Sequence, residues 1–98
     1  MSEFKDIINN GKPTLVDFFA TWCGPCKMQG PILEQLKQKI GDDANIIKID
    51  VDRTPDLAAE YQIRSVPTLI IFKDGTPQWR VSGLQQLEVL EEKLRSYM

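Results

Sequence analysis

Residues 14–26 read Thr14-Leu15-Val16-Asp17-Phe18-Phe19-Ala20-Thr21-Trp22-Cys23-Gly24-Pro25-Cys26. Thr14 to Ala20 has the length and composition of a strand, interrupted only by Asp17 and opened by Pro13. Apolar residues fall on both of its faces, which predicts a central strand covered on each side. The period then changes. Met28, Ile32, Leu33, Leu36 and Ile40 recur at roughly helical spacing and predict a helix reaching about Ile40. Pro31 falls inside that helix, where its ring removes a backbone donor and crowds the preceding turn, so a kink is expected. Cys23 and Cys26 therefore stand where a central strand exits and a helix begins.

Working outward, Ser2 to Asn10 reads as a short amphipathic helix with Phe4, Ile7 and Ile8 on one side and Asn9-Asn10-Gly11 as its stop. Beyond the long helix, Gly41-Asp42-Asp43 is a break, and Asn45 to Val51 is a strand with Ile47, Ile49 and Val51 on one face. Thr54-Pro55 predicts an N-cap followed by a first-turn proline, with a short helix to about Tyr61. Val66-Pro67 precedes a strand over Thr68 to Phe72, and Asp74-Gly75 is a hairpin turn signal. Gln78 to Ser82 is the return strand, placed at the sheet edge because Pro77 lacks an N–H. After Gly83, the spacing of Leu87, Leu90, Leu94 and Tyr97 predicts a terminal helix. The order α-β-α-β-α-β-β-α, with a right-handed βαβ unit and a hairpin, predicts an α/β fold: a mixed sheet in a three-layer α/β/α sandwich.

With 98 residues, the chain is long enough for one compact domain, taken as 1–98. Hydrophobic residues are 42% and charged residues 27%, the mix of a globular protein. The net charge of -2 and the lack of a basic patch argue against nucleic acid as a partner. The opening Met1 to Asp6 lacks the basic flank, apolar run and cleavage site of a signal peptide. No apolar stretch approaches the roughly 20 residues needed to cross a bilayer. No membrane association is expected, and a cytoplasmic location is.

The chain has two cysteines and no histidine. A structural zinc site wants four Cys or His ligands, and haem attachment needs a His where Lys27 stands. No metal is expected. A CxxC pair also admits a reading as two small buried apolar residues, which fits poorly with a Gly24-Pro25 turn between them. Redox chemistry fits better. Unpaired N–H groups and the positive end of the helix dipole favour negative sulfur at the first turn. Cys23, nearest that end, is expected to titrate below the ordinary thiol value of about 8.5. Its spacing from Cys26 allows a disulfide. Cys23 thiolate would attack a substrate disulfide, and Cys26 would then attack Cys23 and release the reduced product. Asp17, on a face with Leu15 and Phe19, is a candidate base for Cys26 if buried; an exposed strand-end Asp is the equal alternative on pattern alone. Lys48 is available to pair with it, although on pattern alone a solvated lysine is the favoured reading. Trp22 divides evenly between core filler and substrate contact. Pattern alone gives no reason to make Val66-Pro67 cis.

The string Phe18 to Met28, with Trp22-Cys23-Gly24-Pro25-Cys26-Lys27 intact, closely resembles the thioredoxin family. The likeness runs nearly the whole length and includes Pro31, Lys48, Asp50, Val66-Pro67-Thr68, Gly75 and Gly83. Related disulfide oxidases and isomerases usually carry a different central dipeptide, as do glutaredoxins. The resemblance implies the thioredoxin fold and a protein-disulfide reductase. It implies Cys23 as nucleophile, Cys26 as resolving thiol and Asp17 as buried base assisted by Lys48. It implies a cis Val66-Pro67 facing the cysteines, in a substrate groove with Trp22, Gly24, Pro25 and Gly83. Disulfide-containing proteins are the implied substrates and thioredoxin reductase the implied electron donor; no cofactor need bind the chain, and a monomer is expected. Three departures stand out. The family normally has a strand before the first helix, so about four strands are expected here, with Lys48, Asp50 and Asp52 guarding an edge. Phe19 replaces a common Trp, and Gln85-Gln86 stands near a usual Lys, which bears on reductase docking. Two rival readings remain at this level: an oxidase or isomerase of the same fold, and a non-catalytic protein-docking module.

Overall fold

The computed structural model describes residues 2–98, the side chain of Ser2 excepted. Met1, where the charged opening begins, lies outside the described residues. The elements are α1 (Ser2–Ile7), β1 (Thr14–Phe19), α2 (Gly24–Ile40), a 3₁₀ turn (Gly41–Asp43), β2 (Asn45–Asp50), α3 (Pro55–Glu60), β3 (Thr68–Lys73), β4 (Thr76–Ser82) and α4 (Leu87–Arg95). The four strands of the sheet lie in the order β2-β1-β3-β4, with β1 parallel to β2 and the other pairings antiparallel.

The period of two in β1 and β3 divides the core. Leu15, Leu69 and Ile71 point to one face and pack with Leu33, Leu36 and Ile40 of α2 and Leu90 and Leu94 of α4. Val16, Phe18, Ile70 and Phe72 point to the other and meet Phe4, Ile8 and Leu57. Both central strands are buried on both faces, which explains their near-continuous apolar runs. Each fully buried Leu or Phe contributes about 1.5–3 kcal/mol through the water it sheds.

The hairpin turn is the predicted one: Asp74 (φ 53°) and Gly75 (φ 80°) are both left-handed, as a two-residue turn between twisted strands requires. Pro77 lies in edge strand β4, beside a register irregularity at Ile71/Phe72. That strand begins at Thr76, two residues earlier than the composition suggests. Strand β2 takes the other edge and ends at Asp50, so Val51 lies just past it while still packing on the α3 side.

Three expectations need correction. Met28 is 61% exposed, and the buried stripe of α2 is Cys26, Gln29, Leu33, Leu36 and Ile40. The spacing of those five places Met28 one residue, about 100° of helix, off the core line. Ile7 is exposed as well, because α1 ends there and only Phe4 and Ile8, four apart, reach the sheet. Thr54 takes the N-cap position of α3, but its hydroxyl caps no amide there and instead donates to the Asp50 carbonyl at 2.8 Å. Pro31 lies inside α2, as expected, and the helix runs through it from Gly24 to Ile40.

Candidate active site around Cys23 and Cys26

Strand β1 delivers its chain end to the start of α2 through a tight turn, closed by Cys23 N donating to Ala20 O at 3.2 Å. Cys23 is the N-cap of α2, with extended backbone (φ -92°, ψ 118°). Its carbonyl accepts from Lys27 N at 3.3 Å and its Sγ accepts from Cys26 N at 3.1 Å. A cap residue normally offers a side-chain oxygen to that amide; here sulfur takes the place. The two cysteines form a disulfide, with 5.3 Å between their Cα atoms. At 4% and 3% exposed, they do not differ in accessibility. What distinguishes them is position: the amide of Cys26 and the end of the helix dipole both act on the Cys23 sulfur. The Gly24-Pro25 turn between them is exposed.

The loop before β3 closes over the same place. Cys23 Sγ lies 3.6 Å from the Val66 carbonyl oxygen, and the Val66-Pro67 peptide is cis. Pro67 O in turn accepts from Gly83 N at 2.8 Å, which ties the end of β4 to this loop. Trp22 is 70% exposed and its Nε1 donates to Asp52 Oδ2 at 2.9 Å, so the indole is not a core filler. It forms one wall of a shallow depression whose remaining lining is Val51, Ile63, Arg64, Ser65 and Val66. Of these six residues, sequence reasoning singled out Trp22 and Val66 alone. Of the others, Val51 was read only as the end of a strand face, and Ile63, Arg64 and Ser65 lie in a loop that periodicity does not address; the Trp22–Asp52 bond joins residues 30 apart. Gly24, Pro25 and Gly83 lie outside that lining, although Gly83 joins the site through Pro67.

Asp17 is fully buried in β1, three residues before Ala20, and neither carboxylate oxygen has a hydrogen-bond partner among the described residues. Burial pushes its pKa from the ordinary 3.8 up to about 6, an effect the Lys48 charge partly offsets. Lys48 is its register partner on β2. The two do not form an ion pair, however. Lys48 is exposed, and its ammonium sits 4.6 Å from the centroid of the Phe19 ring. It also passes close to Gly30, where a Cβ would approach it to 3.8 Å. The solvated lysine that the pattern favoured is therefore what stands here, its cation over an aromatic face while the carboxylate stays buried.

A disulfide at the head of α2, a cis-proline loop in contact with it and a buried, unpaired carboxyl on the strand that leads into it fit dithiol exchange. Residues 1–96 match the family model described as Thioredoxin. The chain belongs to the thioredoxin family. It is 50% identical over 97 residues to the thioredoxin of Staphylococcus saprophyticus, covering 99% of this chain and 92% of that one. It is 46% identical over 89 residues to a Mycobacterium bovis thioredoxin, covering 91% and 77% of the two chains. Among solved structures, a mutant thioredoxin from Halobacterium salinarum superimposes with a TM-score of 0.91 at 41% identity, over 99% of this chain and 84% of that chain. This thioredoxin-family chain is a thiol–disulfide oxidoreductase, a protein-disulfide reductase whose redox-active pair is Cys23 and Cys26. The family acts on disulfide-containing substrates. No helix among the described residues is long and apolar enough to cross a membrane.

Proposed function

We propose that the chain reduces protein disulfides with Cys23 as nucleophile, Cys26 as resolving thiol and Asp17 as the base that serves Cys26. The observation that supports this reading is the Cys26 N–H donated to Cys23 Sγ at 3.1 Å, a bond that would also favour a thiolate at Cys23 once the disulfide is reduced. Cys23 thiolate attacks one sulfur of the substrate disulfide and expels the other as a thiolate, leaving a mixed disulfide. Asp17 then takes the Cys26 proton. Cys26 attacks Cys23 Sγ, forms the Cys23–Cys26 bond and releases the second substrate sulfur. Two electrons pass from the cysteine pair to the substrate. Lys48 acts on this sequence only through space, by favouring ionised Asp17.

Trp22, Gly24, Pro25, Val66, Pro67 and Gly83 form the groove in this reading. An extended substrate segment would lie along the Val66-Pro67 backbone, with main-chain contacts giving breadth of substrate choice. Thioredoxin reductase is the proposed electron donor and the cytoplasm the proposed setting, with the chain a monomer and no cofactor of its own. Redox titration of the couple against a thiol buffer tests the direction. The expected potential lies near about -270 mV, the general figure for thioredoxin, and a value near about -120 mV would make the chain an oxidant instead.

A further inference from the structure

Gln29 is fully buried on α2, at a position whose neighbours along the stripe are Cys26 and Leu33. A primary amide is not kept in a core without partners, and this one has two. Its Nε2 donates to Gln85 O at 3.0 Å, and its Oε1 accepts from Gln85 N at 2.8 Å. One side chain thus satisfies both backbone groups of one residue, as an adjacent strand would. Gln85 belongs to the irregular segment between β4 and α4, where no ladder is available to it. Its own side chain closes back on Gly83 O at 3.2 Å, and Gly83 (φ 90°) is the residue whose amide is tied to Pro67 O.

These contacts make a closed circuit. It runs from Cys23 Sγ to Val66 O, through Pro67 to Gly83, on to Gln85 and Gln29, and back along one helical turn to Cys26. We infer that Gln29 is a positioning residue for the reductase reaction: it fixes residues 83–85 against the Pro67 loop and so sets one wall of the groove that receives a substrate chain. This rests on the reading above that Gly83 lines that groove. The helical period calls for an apolar side chain at this position. Such a side chain would fill the volume and leave the Gln85 N–H and C=O without partners, free to turn away.

The test compares Gln29→Met, of similar volume, with the unaltered protein, using dithiothreitol as electron donor. KM for a disulfide-bonded protein such as insulin is expected to rise about threefold to tenfold, the worth of one or two hydrogen bonds. The kcat, and the rate with a small aromatic disulfide that needs no groove, should change by less than about twofold. Gln29→Glu, which keeps the oxygen that accepts from Gln85, should fall between the two. Equal losses with both disulfides, or an unchanged KM, would overturn the inference. Gly83→Ala separates the two readings. If it raises KM and Gln29→Met does not, Gln29 has no positioning role; if neither raises KM, the groove reading itself fails. Amide hydrogen exchange of the unaltered protein gives a check that needs no variant to fold. The Gln85 N–H should be protected, and exchange as fast as in an unstructured peptide would also overturn the inference.

Discussion

A single buried carboxyl is the proposed base of the reaction and also weighs on the stability of this chain. Asp17 is paired with nothing that would hold its charge, and its pKa stands at about 6. It is therefore neutral at mildly acid pH and ionised above it. Resolution of the mixed disulfide should accelerate as pH rises through about 6. In Asp17→Asn that inflection should vanish and resolution should slow by roughly 10- to 100-fold, read by stopped-flow tryptophan fluorescence. Stability should move the other way. Below about pH 4 the carboxyl is protonated in both folded and unfolded chains and costs nothing; above about 6 only the folded chain holds a desolvated charge. Asp17→Asn is thus expected to unfold at higher denaturant concentration at pH 8, by about 3 kcal/mol, with the difference closing on acidification. Equal stabilities at pH 8 would mean that the carboxyl is better solvated than its burial implies. The cysteines give a sharper outcome: Cys26→Ser should accumulate a mixed disulfide with substrate, visible by mass spectrometry, whereas Cys23→Ser should form none.

Among the elements, α2 serves the fold at one end and the chemistry at the other. Its C-terminal half is anchored by Leu33, Leu36 and Ile40 on the face shared with α4, which leaves the first turn to be shaped by Cys23, Gly24 and Pro25. Leu36→Ala should cost about 2–5 kcal/mol in chemical denaturation, since the side chain is fully buried between β1 and α4. Met28→Gln, on the same helix, should change stability by less than about 0.5 kcal/mol, because Met28 faces solvent. The contrast tests the corrected core line of the helix. At the β3–β4 turn, Gly75 combines a left-handed backbone with the Asn9 side chain 3.6 Å from where a Cβ would stand, and its amide donates to Ile8 O. The turn is thereby docked on the end of α1, so the hairpin and the first helix should lose exchange protection together.

Across the whole molecule, the fold brings Cys23, Cys26, Pro67 and Gly83 together from three separate stretches of chain. Both edges, β2 and β4, carry features that discourage pairing with another chain: Lys48 and Asp50 on one, Pro77 on the other. Sedimentation equilibrium should accordingly return the monomer mass of 11.2 kDa at micromolar concentration, and a dimer would show that an edge or the Trp22 depression is occupied. The order of strands and helices, the parallel β1–β2 pair, the β3–β4 hairpin and the Cys23–Cys26 pair were legible in the sequence. Each is written in a short-range signal: alternation, helical period, a turn dipeptide, a spacing of three. The burial of Asp17 was half legible, because a strand face is readable while its depth is not. Only the tertiary structure decided that Lys48 turns to the Phe19 ring, that Trp22 is exposed and held by Asp52, and that Gln29 is buried and bonded to Gln85. Those outcomes depend on contacts between residues far apart in the chain, and local pattern carries no term for a partner that arrives 30 or 56 residues later.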